Sequence, residues 1–173
     1  METQSKNISN LRQLLEEECI RLINSEIQLR NNLPDWVSKD NNIPLKLILH
    51  RYLDRIDDHI NYINKFLEED QISCLSHNDS VMQASIGQIN DKITCCNAIQ
   101  LKDLCLLSGI QTINHYKISL YRSVANLANI LGMESATKYF HIAQQNENKI
   151  DEELSSLATL EINDKALATI PLN

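Results

Sequence analysis

A chain of 173 residues can bury a real core and suits a single domain, and its 3 glycines, 3 prolines and 5% aromatics favour helices over sheet. The net charge of −7 argues against nucleic acid or an anionic membrane as the main partner. No apolar run is long enough to span a bilayer, the first residues lack a signal-peptide core, and the five cysteines show no C-x-x-C spacing, so the expected compartment is the reducing cytoplasm.

Residues 1–8 read as a disordered N-terminus, 9–160 as one helical domain and 161–173 as a loose tail. The first helix starts at a Ser9 or Asn10 cap and runs toward Trp36, with Leu11, Leu15, Leu22, Leu29 and Leu33 on one stripe. Pro34 is expected to end or kink its last turn. Asn41-Asn42-Ile43-Pro44 opens a second helix, whose face carries Leu45, Leu49, Tyr52, Ile56, Ile60, Ile63 and Leu67. A polar loop over 68–80 leads to a short helix from about Val81 to Ile93. A third long helix follows from about Ile99 to Leu131, roughly 50 Å in length. Its wide apolar arc of Leu107, Ile110, Ile113, Ile118, Leu120, Tyr121, Val124, Leu127 and Leu131 marks a central position. Gly132 stops it, and Glu134 opens a last helix that ends near Leu160. Cys19 and Cys105 sit within apolar patterns and read as core, while Cys95-Cys96 is the candidate redox pair; Cys74 lies in the loop.

Two long hairpins joined by a connection that contains a short helix form the ferritin-like arrangement: an all-α, up-down four-helix bundle with an extra helix in the crossover. Polar residues interrupt its apolar stripes. Glu18 and Glu26 fall on the first stripe and Glu147 lies between Ala143 and Ile150 on the last. Asn114 and Lys117 lie inside the central arc, and Arg55 and His59 edge the second. Carboxylates buried in a bundle need a cation, either a metal or a basic side chain. Acids and histidines from four helices can build a two-metal site. Here Arg55 and Lys117 compete for the same oxygens, so an internal salt-bridge network is the favoured expectation and neither metal nor other cofactor is expected.

The residues resemble a known family. Leu22-Ile23-Asn24-Ser25-Glu26-Ile27-Gln28-Leu29, then Leu33-Pro34, is similar to the "LYDAEKQL…LP" signature of the YciE/YciF family of ferritin-like bacterial stress proteins. Leu45-Lys46 through His59-Ile60 resembles its second helix, Asp103 through Asn114-His115-Tyr116-Lys117 its "RDAALIAAAQKVEHYE", and Leu131-Gly132 through Glu147 and Leu154 its last helix. The resemblance spans about Leu11 to Ala158. It implies a ferritin-like bundle, commonly a dimer, with a di-iron carboxylate centre and links to stress. The chain departs from the family at that centre. A glutamate of the second-helix motif is Arg55 and the histidine before it Tyr52, both glutamates of "EHYE" are Asn114 and Lys117, and of "EEEK" only Glu147 survives.

The resulting expectation is a stress-associated homodimer that has lost its metals and acts without catalysis, as a binding or structural protein. The alternative keeps one iron or manganese ion on Glu26, His59 and Glu147, aided by Glu18 or Asp151, with Tyr116 or Tyr121 serving peroxide-related redox chemistry. Asp54, Asp57 and Asp58 read as a solvated face, and His115 and His141 as packing or surface residues. Neither His50 nor His59 is followed by the lysine and small residue of a phosphotransfer histidine.

Overall fold

Side-chain caps set three of the helix starts. Asn10 accepts a hydrogen bond from the Gln13 amide at the head of α1 (Leu11–Lys39), and Asn42 accepts one from Leu45 at the head of α2 (Ile43–Glu69), with Pro44 in its first turn. Asp79 accepts from the amides of Val81 and Met82 at the head of α3 (Ser80–Cys95). The set is completed by α4 (Ile99–Ile130) and α5 (Glu134–Leu157), which widens into a π turn over Ala158–Ile162. This computed structural model describes residues 8–72 and 79–162. The expectations for residues 1–7, for the tail from 163 onward and for Cys74 lie outside them.

Two helices stop by the same device. After α4, Gly132 takes a left-handed φ of 71°, and the Met133 and Gly132 amides turn back to the carbonyls of Ala128 and Asn129. After α2, Gln71 takes φ 55°, with Ile72 and Gln71 bonded back to Leu67 and Glu68. The glycine stop was legible; the glutamine one was not, because a side chain at that φ is disfavoured by about 1 kcal/mol or more. Pro34 does not end α1, which continues to Lys39 because buried Trp36 and Val37 hold its last turn in the core.

Contacts at the helix ends give the topology. Arg12, at the start of α1, meets Asp70 after the end of α2 at 3.6 Å, so these two helices are antiparallel. At the opposite end, Trp36 Nε1 donates to Asn90 Oδ1 of α3 at 2.8 Å, and Asp35 to Asp40 share a cleft with Asn90 to Thr94 and the start of α4. The connection through α3 therefore returns the chain along the bundle before α4 begins. In cross-section α1 packs on α2 and α4, and α5 on α2 and α4, with α3 lying against α4 and α1. This is the ferritin-like bundle.

The predicted stripes of the long helices are buried with three exceptions, one of them Leu131, which is half-buried. Leu11 is 45% exposed, and Cys105, expected in the core, is only half-buried. Cys19 is fully buried.

The short helix is fastened by one carboxylate. Asp79 Oδ2 accepts hydrogen bonds from Ser25 of α1 and Tyr116 of α4, each at 2.6 Å, while Oδ1 caps α3. Burial and the Asp79 carboxylate push the Tyr116 phenol up, so it stays a donor. Asp79→Ala is expected to cost about 2–4 kcal/mol, the cap plus stranded hydroxyls. Urea unfolding checks this; a loss of about 0.5 kcal/mol or less, the scale of a weak cap alone, would show that α3 is held by its apolar contacts.

Candidate functional site

Near mid-length each of the four long helices sends polar side chains into the core. Glu26 comes from α1, His59 and Tyr52 from α2, Asn114, Lys117 and Tyr121 from α4, and Glu147 from α5, all buried. Lys117 is the centre. Its Nζ lies 2.8 Å from Glu26 Oε2 and 2.9 Å from Glu147 Oε1, and it donates to the Tyr52 hydroxyl at 3.2 Å. The ammonium also sits 4.5 Å from the Tyr52 ring centroid.

Each acid has further donors. Glu147 Oε2 accepts from Tyr52 at 2.7 Å and from Asn114 Nδ2 at 2.8 Å. Glu26 Oε1 accepts from the Tyr121 hydroxyl. His59 Nδ1 lies 3.3 Å from Glu26 Oε1 and 3.5 Å from Glu147 Oε1, so an N–H on that nitrogen faces both acids.

Burial alone would drive these groups toward their neutral forms, and their partners reverse it for the ions. Burial pushes the Glu26 carboxyl up, but the Lys117 ammonium and the His59 contact outweigh it and hold the group below the usual carboxylate range. Burial likewise pulls the Lys117 ammonium down, and Glu147 and Glu26 more than offset this, holding it above the ordinary lysine value. Burial and the adjacent carboxylates together raise both phenols, Tyr52 beside Glu147 and Tyr121 beside Glu26. The site is therefore built on one ammonium shared by two acids, with the phenol hydroxyls of Tyr52 and Tyr121 held as donors.

Glu26, His59 and Glu147 each place one ligand atom within 4.8 Å of the others. That donor set does not fit a two-metal centre. Two carboxylates and one histidine offset too little of the charge of two divalent ions, and the Lys117 ammonium already stands against both acids. His59 Nε2 and Asn114 Oδ1 are buried without a hydrogen-bond partner among the described residues.

Three residues expected here lie elsewhere. Arg55 is exposed, in a shallow surface cleft with Asp54, Asp58, Asn146 and Lys149, because its long side chain reaches solvent from the edge of the stripe. Glu18 stands two turns before Glu26 and meets Arg21 at 3.4 Å near the surface. Asp151 pairs with exposed His115 at 3.0 Å, away from the cluster. The sequence reading placed Tyr52 and Tyr121 in the apolar stripes and assigned neither to the network. The available signal was that a buried phenol hydroxyl requires a partner.

Comparison with known proteins agrees with this architecture. Protein YciF of Escherichia coli (strain K12) is 27% identical over 143 residues, which cover 82% of this chain and 86% of that protein. The crystal structure of the E. coli stress protein YciF superposes with a TM-score of 0.85 at 23% identity, covering 90% of this chain and 99% of that one. YcfI from Rhodopseudomonas palustris gives 0.83 at 17% identity, with coverages of 87% and 96%. Residues 7–167 match the family described as "Domain of unknown function (DUF892)". The chain belongs to that family and is a YciF-like member of it.

Proposed function

We propose that this protein is a ferritin-like bundle in which an internal ion-pair network has taken the place of a di-iron centre, and that it acts without catalysis, as a stress-associated binding or structural homodimer. The observation that carries this reading is Lys117, whose one ammonium stands within 2.9 Å of an oxygen of each buried acid. A fixed ammonium neutralises the acids without leaving an open coordination position for a substrate. The association with stress rests on the name of the similar E. coli protein. Among the described residues no helix is long and apolar enough to cross a membrane, consistent with action through an aqueous surface.

Elemental analysis of protein produced with added iron and manganese, and purified without chelator, tests the reading. The expected metal content is far below one ion per chain. Near-stoichiometric metal, lost on Glu26→Ala or Glu147→Ala, would overturn it in favour of the one-ion alternative. Lys117→Ala is the complementary variant. Freed of the ammonium, Glu26, His59 and Glu147 are expected to take up one divalent cation, measured as a rise in Tm with added manganese or zinc. No rise would show that the lysine does not stand where a cation could.

A further inference from the structure

Of the adjacent cysteines Cys95 and Cys96, only the second has a sulfur neighbour among the described residues, and it is not Cys95. Cys95 is exposed, whereas the Cys96 sulfur lies 3.5 Å from the Cys105 sulfur, both residues half-buried and free. The two sulfurs come from different elements. Cys96 ends α3, its backbone extended at φ −81° and ψ 128° with its N–H still bonded to Ile93, and Cys105 lies in the second turn of α4.

A second contact fixes α3 against α4 at this point. Ile89 packs onto Gly109, one turn beyond Cys105, so closely that a Cβ at 109 would stand 2.7 Å from Ile89 Cδ1. A disulfide needs an S–S distance of about 2.05 Å, so the sulfurs must close by roughly 1.5 Å. The non-helical link between Cys96 and Ile99 can supply that movement without disturbing the Ile89–Gly109 contact.

We propose that Cys96 and Cys105 form a reversible dithiol couple that a hydroperoxide oxidises to an intrachain disulfide. The Cys96 thiol loses its proton, and its sulfur attacks a hydroperoxide oxygen. The O–O bond breaks, giving a sulfenic acid and, once the leaving oxygen takes the proton, water or an alcohol. The Cys105 sulfur then attacks the Cys96 sulfur, the S–O bond breaks, and the oxygen leaves as water with the Cys105 proton. Two electrons pass from the sulfurs to the O–O bond, and a small thiol returns the pair to the reduced form. Burial and the hydrogen bond with Cys96 push the Cys105 thiol up, so the first attack is assigned to Cys96. Cys19 is fully buried with its thiol pushed up by burial, and serves as an internal unreactive control.

The test treats the full chain with hydrogen peroxide, blocks free thiols and digests with trypsin without reduction. Cleavage after Lys92, Lys102 and Lys117 separates Ile93–Lys102, which carries Cys95 and Cys96, from Asp103–Lys117, which carries Cys105. The expected product is these two peptides joined and two hydrogens lighter, from chain that runs as a single uncrosslinked species on a denaturing, non-reducing gel, and lost on dithiothreitol. Fragmentation of the joined species should place the bond on Cys96. It should persist in Cys95→Ser and vanish in Cys96→Ser and Cys105→Ser. A bond on Cys95, a link only between chains, or the two peptides recovered apart as blocked thiols or sulfinic acids would each overturn the proposal. Because fragmentation of the wild-type product locates the bond, the assignment stands even where a variant misfolds.

Discussion

Lys117→Met is expected to destabilise the protein by about 3–5 kcal/mol at neutral pH, since it leaves two buried carboxylates without their shared cation. Methionine fills a comparable volume, so the loss reports charge rather than a cavity. Its pH dependence should oppose that of the parent. In the parent, Glu26 is held below its ordinary value of 4.5. Its contribution is therefore present above that value and lost as pH falls through the folded pKa. In the variant, burial acts on Glu26 with no ammonium to oppose it, and its folded pKa rises above the unfolded one. The folded variant then holds more protons than the unfolded chain, so its stability grows on acidification. Urea midpoints for both proteins at pH 7 and pH 5 measure this. A variant as stable as its parent, or one that loses stability toward pH 5, would remove Lys117 from the centre of the network.

The converse substitution should mirror this result. The double variant Glu26→Gln/Glu147→Gln leaves the ammonium buried with no anion and is also expected to cost about 3–5 kcal/mol at pH 7. Here burial acts unopposed on the lysine and lowers its folded pKa below the ordinary 10.5. The unfolded chain then holds the extra proton, so stability should rise between pH 7 and pH 9.5. Each single variant should cost less than the double, because Lys117 keeps one acid. Both single variants also remove a charged acceptor from neighbouring donors, Tyr52 and Asn114 at Glu147 and Tyr121 at Glu26. A double loss equal to the sum of the two single losses would mean that the acids do not share one partner.

The bundle was readable because its signals are periodic. Stripes of leucine and isoleucine, asparagine caps and Gly132 each act within a few residues, and local physics decides them. Glu26, His59, Asn114, Lys117 and Glu147 stood out for the same reason, as polar residues on apolar faces. Arg55 and Glu18 misled because a position at the edge of a stripe can send a long side chain either way, and solvation favours outward. Tyr52 and Tyr121 were hidden because a phenol ring satisfies the apolar pattern while its hydroxyl does not. The meeting of Cys96 with Cys105 depends on how α3 lies on α4, which no local pattern encodes.

The sharing of one lysine between two helices also bears on how the chain finds a single alignment. Leucine stripes repeat every turn, so a long helix could slide along its neighbours by about 5.4 Å and still bury apolar surface. Such a slip of α4 would bring Ile113 or Tyr121, each one turn from Lys117, opposite the two acids and leave at least one charge buried and unanswered. Hydrophobic contacts set how tightly the helices adhere, and the ammonium between Glu26 and Glu147 sets where along their length they stop.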